Sequence, residues 1–444
     1  MFQHILVFVL FLVIGRCGGF TNIIDNNESN RFSSRLLFSK KITFGLQPSI
    51  TNIPAEDWNS CLLDDSSPFL EHAWLSSLEE SGCASPATGW APQHVSIQID
   101  GATRGYVPLY IKSHSMGEFI FDNSWAEAAY QTGITYYPKL LVAVPFTPAT
   151  GQRILLHPDV WKNFDDKEIG QVRKAVATFL IQLAESNELS SVHFNFLTES
   201  EATDLSGSLP VLKSLDDDGD PMQDDEQQQS FSNKVKDMLN RISMSKDSDY
   251  LRRTSLQYHW TNANSNTDGQ PYTSFEEYLG CFKSKRRITI KRERRVVLEE
   301  EAIRIDSVMG TDILKYDGLL ERMFEIYLST VDKMIWGRQY LTLEFFQILA
   351  KSDFLHNLCF LCARPQSSGE ELRAEDVFAG TFNIVKNGVF YGRYWGCLPG
   401  REIKNLHFET CYWSAIDFCI KNGIRRMEPG AGGGGECTLC TFSL

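Results

Sequence analysis

Apolar and polar positions along this chain follow two periods, and the switches between them mark out its elements. His94 to Ile99 alternates with a period of two, as a strand with one buried face does. Asp100-Gly101 follows, a pair that tight hairpins favour because both residues accept positive φ, and Arg104 to Ile111 returns as the second strand. From Asp166 to Glu188 the period lengthens: Ile169, Val172, Val176, Phe179, Leu180 and Leu183 fall on one helical stripe. That helix feeds a strand at Ser191 to Leu197. Ser67-Pro68 predicts a helix start, with Ser67 as N-cap, Pro68 in the first turn, and Phe69, Ala73 and Leu78 at helical spacing. Asn123 to Thr132 reads as a short helix.

The second half repeats this alternation of helix and hairpin. Helices are predicted over Ser274 to Phe282, Lys283 to Glu300, Tyr316 to Val331 and Leu343 to Ala350. Strands follow at Leu358 to Ala363, Val377 to Val385 and Val389 to Cys397, the last two joined by an Asn387-Gly388 turn. Leu406 to Lys421 is a helix and Arg425 to Glu428 a final strand. Each half therefore shows a hairpin, a helix and a short strand, which predicts an α+β fold with mixed sheets arranged as two tandem lobes, residues 61–198 and 233–436. Residues 199–232 separate them. Asp216-Asp217-Asp218-Gly219-Asp220 and Asp224-Asp225-Glu226 cannot bury enough apolar surface to order themselves, and lack the spaced ligands of a calcium loop.

Ile5 to Ile14 is an unbroken apolar run of signal-peptide length, too short to cross a bilayer comfortably, and no internal run is long enough for a span. It predicts that residues 1–19 stand outside the fold. Residues 20–60 then read as transit-peptide-like or disordered, with a Ser- and Asn-rich stretch carrying Arg31, Arg35, Lys40 and Lys41. With Phe20 at the junction, the arrangement resembles the two-part plastid presequence of algae with secondary plastids. Simple secretion is the alternative reading, and a short membrane anchor is the third.

Hydrophobic residues make up 43% of the 444 and charged residues 22%, an ordinary globular composition. The net charge of −13 argues against broad nucleic-acid binding. Against that sign, Lys283, Lys285, Arg286, Arg287, Lys291, Arg292, Arg294 and Arg295 crowd one predicted helix. Such a run is usually a solvated face, but here its local excess points to an anion. The eleven cysteines are scattered, which suits reduced thiols better than a disulfide framework. Cys359 and Cys362 fall on a predicted strand, where positions three apart face opposite sides, so no metal site is expected there.

The long motifs place the chain more narrowly. Gly117-Glu118-Phe119-Ile120-Phe121-Asp122, Trp125-Ala126, Tyr136-Tyr137-Pro138-Lys139 and Ala143-Val144-Pro145-Phe146-Thr147-Pro148 resemble the signature of the FemAB-like family of predicted N-acyltransferases. So do Gln257-Tyr258-His259-Trp260, the basic run, Tyr391-Gly392-Arg393-Tyr394-Trp395-Gly396, Leu406-His407-Phe408-Glu409 and Glu428-Pro429-Gly430-Ala431. The resemblance covers about Ser67 to Glu436. It implies GNAT-like lobes, a link to peptidoglycan biosynthesis or recognition, and acyl transfer to an amine. No tightly bound cofactor is implied. The donor substrate would be acyl-coenzyme A or aminoacyl-tRNA, and the acceptor a small-molecule or peptide amine. The phosphate-binding loop of GNAT enzymes is missing after Gly392 to Gly396, which keeps the aminoacyl donor in play. A non-catalytic module holding an anionic polymer or membrane surface is the competing reading.

Acyl transfer needs a base for the amine, donors for the carbonyl oxygen and a proton for the leaving group. Glu409, Glu428, His407 and His259 are candidate bases, and Tyr391 and Tyr394 candidate acids. Arg393, Lys283, Arg286 and Arg287 are candidates for holding the donor. Asp122, Trp125, Tyr136, Tyr137, Lys139, His259, Trp260, Tyr391 and Trp395 are candidates for the substrate pocket. Plain strand alternation puts Tyr391, Arg393 and Trp395 on one face and Tyr394 on the other. The bland readings are helix packing for His407 and half-buried strand positions for the tyrosines.

Cys437 to Leu444 has no counterpart in the family's ending, so the second lobe is expected to be truncated, with its strand at Arg425 to Glu428 an unprotected edge. Sequencing the transcript's 3′ end tests that reading. For the presequence, residues 1–60 fused to a fluorescent reporter in an alga with secondary plastids should give plastid signal; a purely cytosolic reporter would sink it.

Overall fold

The computed structural model describes residues 2–12, 33–34, 40–120, 122–131, 133–206, 212–213, 251–333 and 339–430. The chain divides into two compact units, Ile5–Leu256 and Gln257–Leu444, the latter with Met1–His4. Each mixes helices with antiparallel and parallel strands, as the sequence pattern predicts.

The first unit has two sheets. Strands β1 (Phe2–Leu12), β4 (Trp90–Pro92), β7 (Leu109–Lys112), β8 (Lys139–Val142) and β10 (Ser191–Leu197) make one, in the order β1-β10-β8-β7-β4. The other runs β2-β3-β5-β6-β9, from β2 (Ser33–Ser34), β3 (Ile42–Gln47), β5 (His94–Ile99), β6 (Ala102–Val107) and β9 (Leu155–Leu156). The Asp100-Gly101 turn joins β5 to β6 with both residues at positive φ, as expected. The Asp166–Ser186 helix starts at an Asp165–Glu168 capping box and buries Ile169, Val172, Val176, Phe179, Leu180 and Leu183. It carries the chain across to β10, which pairs parallel to β8.

Two expectations fail here. The predicted leader does not stand wholly outside the fold, because Val7–Leu12 pairs antiparallel with β10. An apolar run can satisfy its backbone at an open sheet edge as well as in a leader helix, and composition alone does not separate the two. Nor is the whole of residues 20–60 a presequence. β3 pairs with β5 along its full length and buries Ile42 and Phe44, and Trp58 is fully buried with its indole N–H donated to Leu70 O. Their apolar residues are too widely spaced to announce a core on their own. At Ser67-Pro68 the expected helix is a single 3-10 turn, Pro68–Leu70, and the α-helix begins at His72.

The second unit holds one sheet, in the order β13-β14-β15-β16-β17-β12. Its strands are the C-terminal part of β12 (Leu251–Thr261), β13 (Ile303–Met309), β14 (Leu358–Pro365), β15 (Ala379–Lys386), β16 (Val389–Cys397) and β17 (Arg426–Glu428), β11 (Leu212–Lys213) pairing β12 within the first unit. Asn387 and Gly388, both at positive φ, turn β15 into β16. β17 is no edge: it lies parallel to β16 on one side and antiparallel to β12 on the other. The upstream strand supplies the cover that the expected truncation lacked. The predicted disordered insertion, residues 199–232, opens instead with a helix, Glu199–Leu205, capped by Thr198 and burying Ala202 and Leu205, while the acidic run and residues 431–444 lie outside the described residues.

Two of the predicted helices contain π turns that the periodicity does not suggest. The predicted Lys283 to Glu300 helix is α-helical over Ser284–Arg295 and becomes a π turn at Val296–Glu300. A second π turn, Glu409–Trp413, interrupts the Leu406 to Lys421 segment. Cys359 and Cys362 are buried and free, and Cys362 Sγ points at Met323 Sδ, 3.9 Å away.

Helix Leu319–Lys333 packs so closely on β16 that only a missing side chain permits it. A Cβ on Gly396 would lie 1.8 Å from Ile326 O, against backbone rather than a movable tip. Gly396→Ala should therefore lower the free energy of unfolding by about 3 kcal/mol, the upper end for overpacking; an unchanged urea midpoint would show that the helix can stand off at little cost.

Candidate functional site

Strands β7 and β8 place two lysines directly opposite each other, Lys112 against Lys139, and both are fully buried. Like charges so placed repel and each loses its hydration. The loop after β7 folds two carboxylates back over them. Lys139 Nζ sits 2.8 Å from Asp122 Oδ2 and 2.9 Å from Glu118 Oε2. Tyr136 and Tyr137 hydroxyls donate to the same Asp122 oxygen at 3.0 and 3.2 Å. Lys112 instead donates to Met116 O at 3.0 Å and lies 4.1 Å over the Trp90 ring.

Protonation follows from these partners. Burial would raise the Asp122 carboxyl, but the Lys139 ammonium and the tyrosine hydrogen bonds outweigh it and hold it below the ordinary value. Burial likewise works against the Lys139 charge, yet Glu118 and Asp122 raise it. Glu118, less well supplied, is pushed up by burial to about 7. Lys112 is drawn down by burial to about 7, with the Lys139 charge adding to the fall. His193, buried on β10 with Nε2 3.0 Å from Ser191 Oγ, is held well below its usual range by burial and by Lys139.

Glu118, Asp122 and His193 bring ligand atoms within 4.8 Å of one another, the spacing a metal ion would need. The Lys139 ammonium already occupies the cationic position between the two carboxylates. Glu118 Oε1 and Asp122 Oδ1 remain without a hydrogen-bond donor among the described residues. Of the residues singled out from sequence, Asp122, Tyr136, Tyr137 and Lys139 meet here, and buried Trp125 lies on the first turn of the following helix, its N–H on Asp122 O. Glu118, Lys112 and His193 were missed. Glu118 stands in the quoted Gly117 to Asp122 motif, and the motif was the one signal that could have found it.

The second unit gathers a different set on one face of its sheet. Glu428 pairs in register with Tyr391 across parallel strands β17 and β16. Arg426 Nη2 contacts Glu428 Oε1 at 2.8 Å, and His259 Nε2 lies 4.0 Å from Oε2 and 2.9 Å from Gln257 Oε1. Burial raises the Glu428 carboxyl above its ordinary range, against the pull of Arg426 and Arg393. Burial also lifts Tyr391 to about 12, with Glu428 adding, and draws Arg393 down to about 10.

The expected alternation on β16 does not survive. Phe382 pairs with Tyr394 and Asn383 with Gly392, so Arg393 is the extra residue of a bulge. The bulge resets the faces: Tyr391 and Tyr394 now share one, and Trp395 faces the other, away from Tyr391. Tyr394 packs against Tyr327, with ring centroids 5.0 Å apart. Trp395 meets His407 edge-on, ring centroids 5.4 Å apart, and His407 also meets Phe408 and Tyr412. Trp260 is buried on the same side of the sheet as Met427, beside Tyr272 and Tyr278, and is a core residue rather than a pocket wall.

Glu409 is equally buried but differently engaged. Its Oε1 contacts Arg294 at 3.2 Å and accepts from Ser414 Oγ at 2.7 Å, and burial raises it. It pins the basic helix to the Ser414–Lys421 helix. Arg286 turns inward over the Trp413 ring at 5.7 Å, Arg287 is half-buried, and Lys283 is exposed at the N-cap.

A family model named FemAB_like, described as peptidoglycan biosynthesis/recognition, matches residues 49–438. No curated protein matches the chain. Among solved structures, one titled "Crystal structure of FemX" is similar at 10% identity and a TM-score of 0.37, covering 81% of this chain and 82% of that one. Another, "The structure of L-PGS from Bacillus licheniformis", is similar at 8% identity and a TM-score of 0.25, over 34% of this chain. The chain spans 42% of that protein's length.

Lys139→Met leaves two buried carboxylates without their cation. At pH 8 the variant should lose about 3–5 kcal/mol of stability. Removal of the ammonium raises both folded-state carboxyl pKa values, and a raised carboxyl contributes stability at low pH that is lost as pH rises through it. The deficit should therefore shrink at pH 5. Urea unfolding at both pH values checks this, and an equal deficit at both would contradict the assignment.

Proposed function

The chain belongs to the FemAB-like family of peptidoglycan biosynthesis and recognition, a transferase family, and on that premise we propose that it transfers an acyl or aminoacyl group to an amine, with Glu428 as the base. The single observation behind this is the environment of Glu428: a buried carboxylate with one oxygen held by Arg426 and the other turned toward His259. A base works best with its pKa near the working pH, and burial moves this carboxyl in that direction. Glu409 matches it in type and burial but has Arg294 and Ser414 on one oxygen, which fits a strut between helices better than a base.

In the proposed reaction the acceptor amine attacks the carbonyl carbon of the donor. An N–C bond forms, the C–O bond of an ester donor or the C–S bond of a thioester breaks, and the amine proton passes to Glu428. The proton that the leaving oxygen or sulfur needs comes from a nearby hydroxyl, for which Tyr391, in register with Glu428, is placed. Arg393, at the bulge beside Tyr391, is suited to the charge on a donor or acceptor. Aminoacyl-tRNA and acyl-coenzyme A are the two donors to be tried, with a peptide or small-molecule amine as acceptor. The Asp122, Tyr136, Tyr137 and Lys139 cluster is the proposed substrate-binding element of the first unit.

Glu428→Gln should lower kcat at least about 100-fold, the usual contribution of a positioned base, while the protein melts at the parent temperature. In the parent enzyme the rate should rise with pH through a pKa above the ordinary glutamate value, because the deprotonated carboxylate is the active form. Glu409→Gln should instead lower stability and leave the turnover of the folded fraction near the parent level. If Glu428→Gln keeps full activity, the base lies elsewhere; if no donor is used at all, the non-catalytic reading takes its place.

A further inference from the structure

The Ser284–Arg295 helix has two faces, and only the inner one has been accounted for. At about 100° per residue, Arg286, Ile290, Arg294 and Val297 fall on one side. Ile290 and Val297 are fully buried, Arg286 meets Trp413, and Arg294 meets Glu409 and lies 4.2 Å over the Phe275 ring. The opposite side is centred on Ile288, which is 63% exposed. Lys285, Lys291, Arg292 and Arg295 surround it, and all four are exposed. Lys291 and Arg295 have surface ion pairs with Glu276 and Glu300, whereas Lys285 and Arg292 form none among the described residues.

We infer that this outer face is a docking surface for an anionic lipid bilayer, with Ile288 entering the headgroup layer inside a ring of cations. The exposed isoleucine favours a lipid surface over a nucleic acid. Phosphates of either kind would attract the four cations, but an RNA strand rewards aromatic stacking and leaves an exposed aliphatic side chain unused. A bilayer rewards both parts, the cations through its anionic headgroups and the isoleucine through its apolar boundary. The chain as a whole carries a charge of −13, so an anionic surface repels most of it and selects this face. No helix among the described residues is long and apolar enough to span a membrane. The inference does not depend on the acyl-transfer reading, because none of these side chains belongs to the Glu428 set.

Co-sedimentation of the full chain tests it, using vesicles of phosphatidylcholine mixed with phosphatidylglycerol and vesicles of phosphatidylcholine alone. Binding is expected to the mixed vesicles only and to weaken in high salt. Lys285→Gln and Arg292→Gln should each reduce it about five-fold. Ile288→Ser should also reduce it about five-fold without any change of charge, and Ile288→Trp should strengthen it. All three positions are on the surface, so thermal melts of the four variants should match the parent. Equal binding to both vesicle types, no binding, or a partition that ignores residue 288 would overturn the inference. So would tighter binding to a transfer RNA that is unaffected by Ile288→Ser.

Discussion

An ammonium group stripped of water must find negative charge or give up its proton, and the first unit contains two that are fully buried side by side. The adjacent pairing of Lys112 and Lys139 is imposed by the register of two short strands. One counter-charge would not satisfy both. The chain between them supplies Glu118 and Asp122, and both gather on Lys139. Lys112 is left with a carbonyl and an indole face, which do not offset the cost of burying its charge. The course of the loop from Ser113 to Asp122 and the placing of both tyrosines follow from this division.

The second unit shows how partner choice separates two glutamates of the same burial. Glu409 and Glu428 both sit in surroundings that raise the carboxyl pKa. Glu409 faces an arginine anchored on a phenylalanine ring and a serine from the next turn, all on helices that it joins. Glu428 is on a three-residue strand held between a parallel and an antiparallel neighbour. Its contacts come from side chains on those neighbours, and a sheet holds such positions more rigidly than a loop would.

The legible parts of the fold were those decided within a few residues. The Asp100-Gly101 and Asn387-Gly388 turns, the Asp166 helix and the buried strand at Leu358 were all readable because turn chemistry and apolar period are local. The legible parts of the site were the ordered motifs, which pointed to Asp122, Lys139, Tyr391 and Glu428 without saying which would meet. Glu118, Lys112 and His193 were not readable, since nothing in a charged or titratable residue announces that it will be buried. The bulge at Arg393 was equally hidden. It exists because β15 and β16 differ by one residue between two paired stretches, and one inserted residue inverts the predicted faces of Tyr394 and Trp395.

The sequence by itself determined the mixed α and β character of the chain, the family it resembles and the concentration of positive charge on one helix of an acidic protein. These depend on composition, period and motif, which need no knowledge of distant contacts. Tertiary structure alone decided that Phe2–Leu12 and Ile42–Gln47 are strands, that β17 has a neighbour on both sides, and that Glu409 and Glu428 have different partners. In each case the deciding partner lies far away in the chain: β10 for the first strand, β5 for the second, β12 for β17, Arg294 for Glu409. A backbone edge or a buried charge is satisfied by whichever group the fold brings to it, and that group's identity is not encoded in the residues next door.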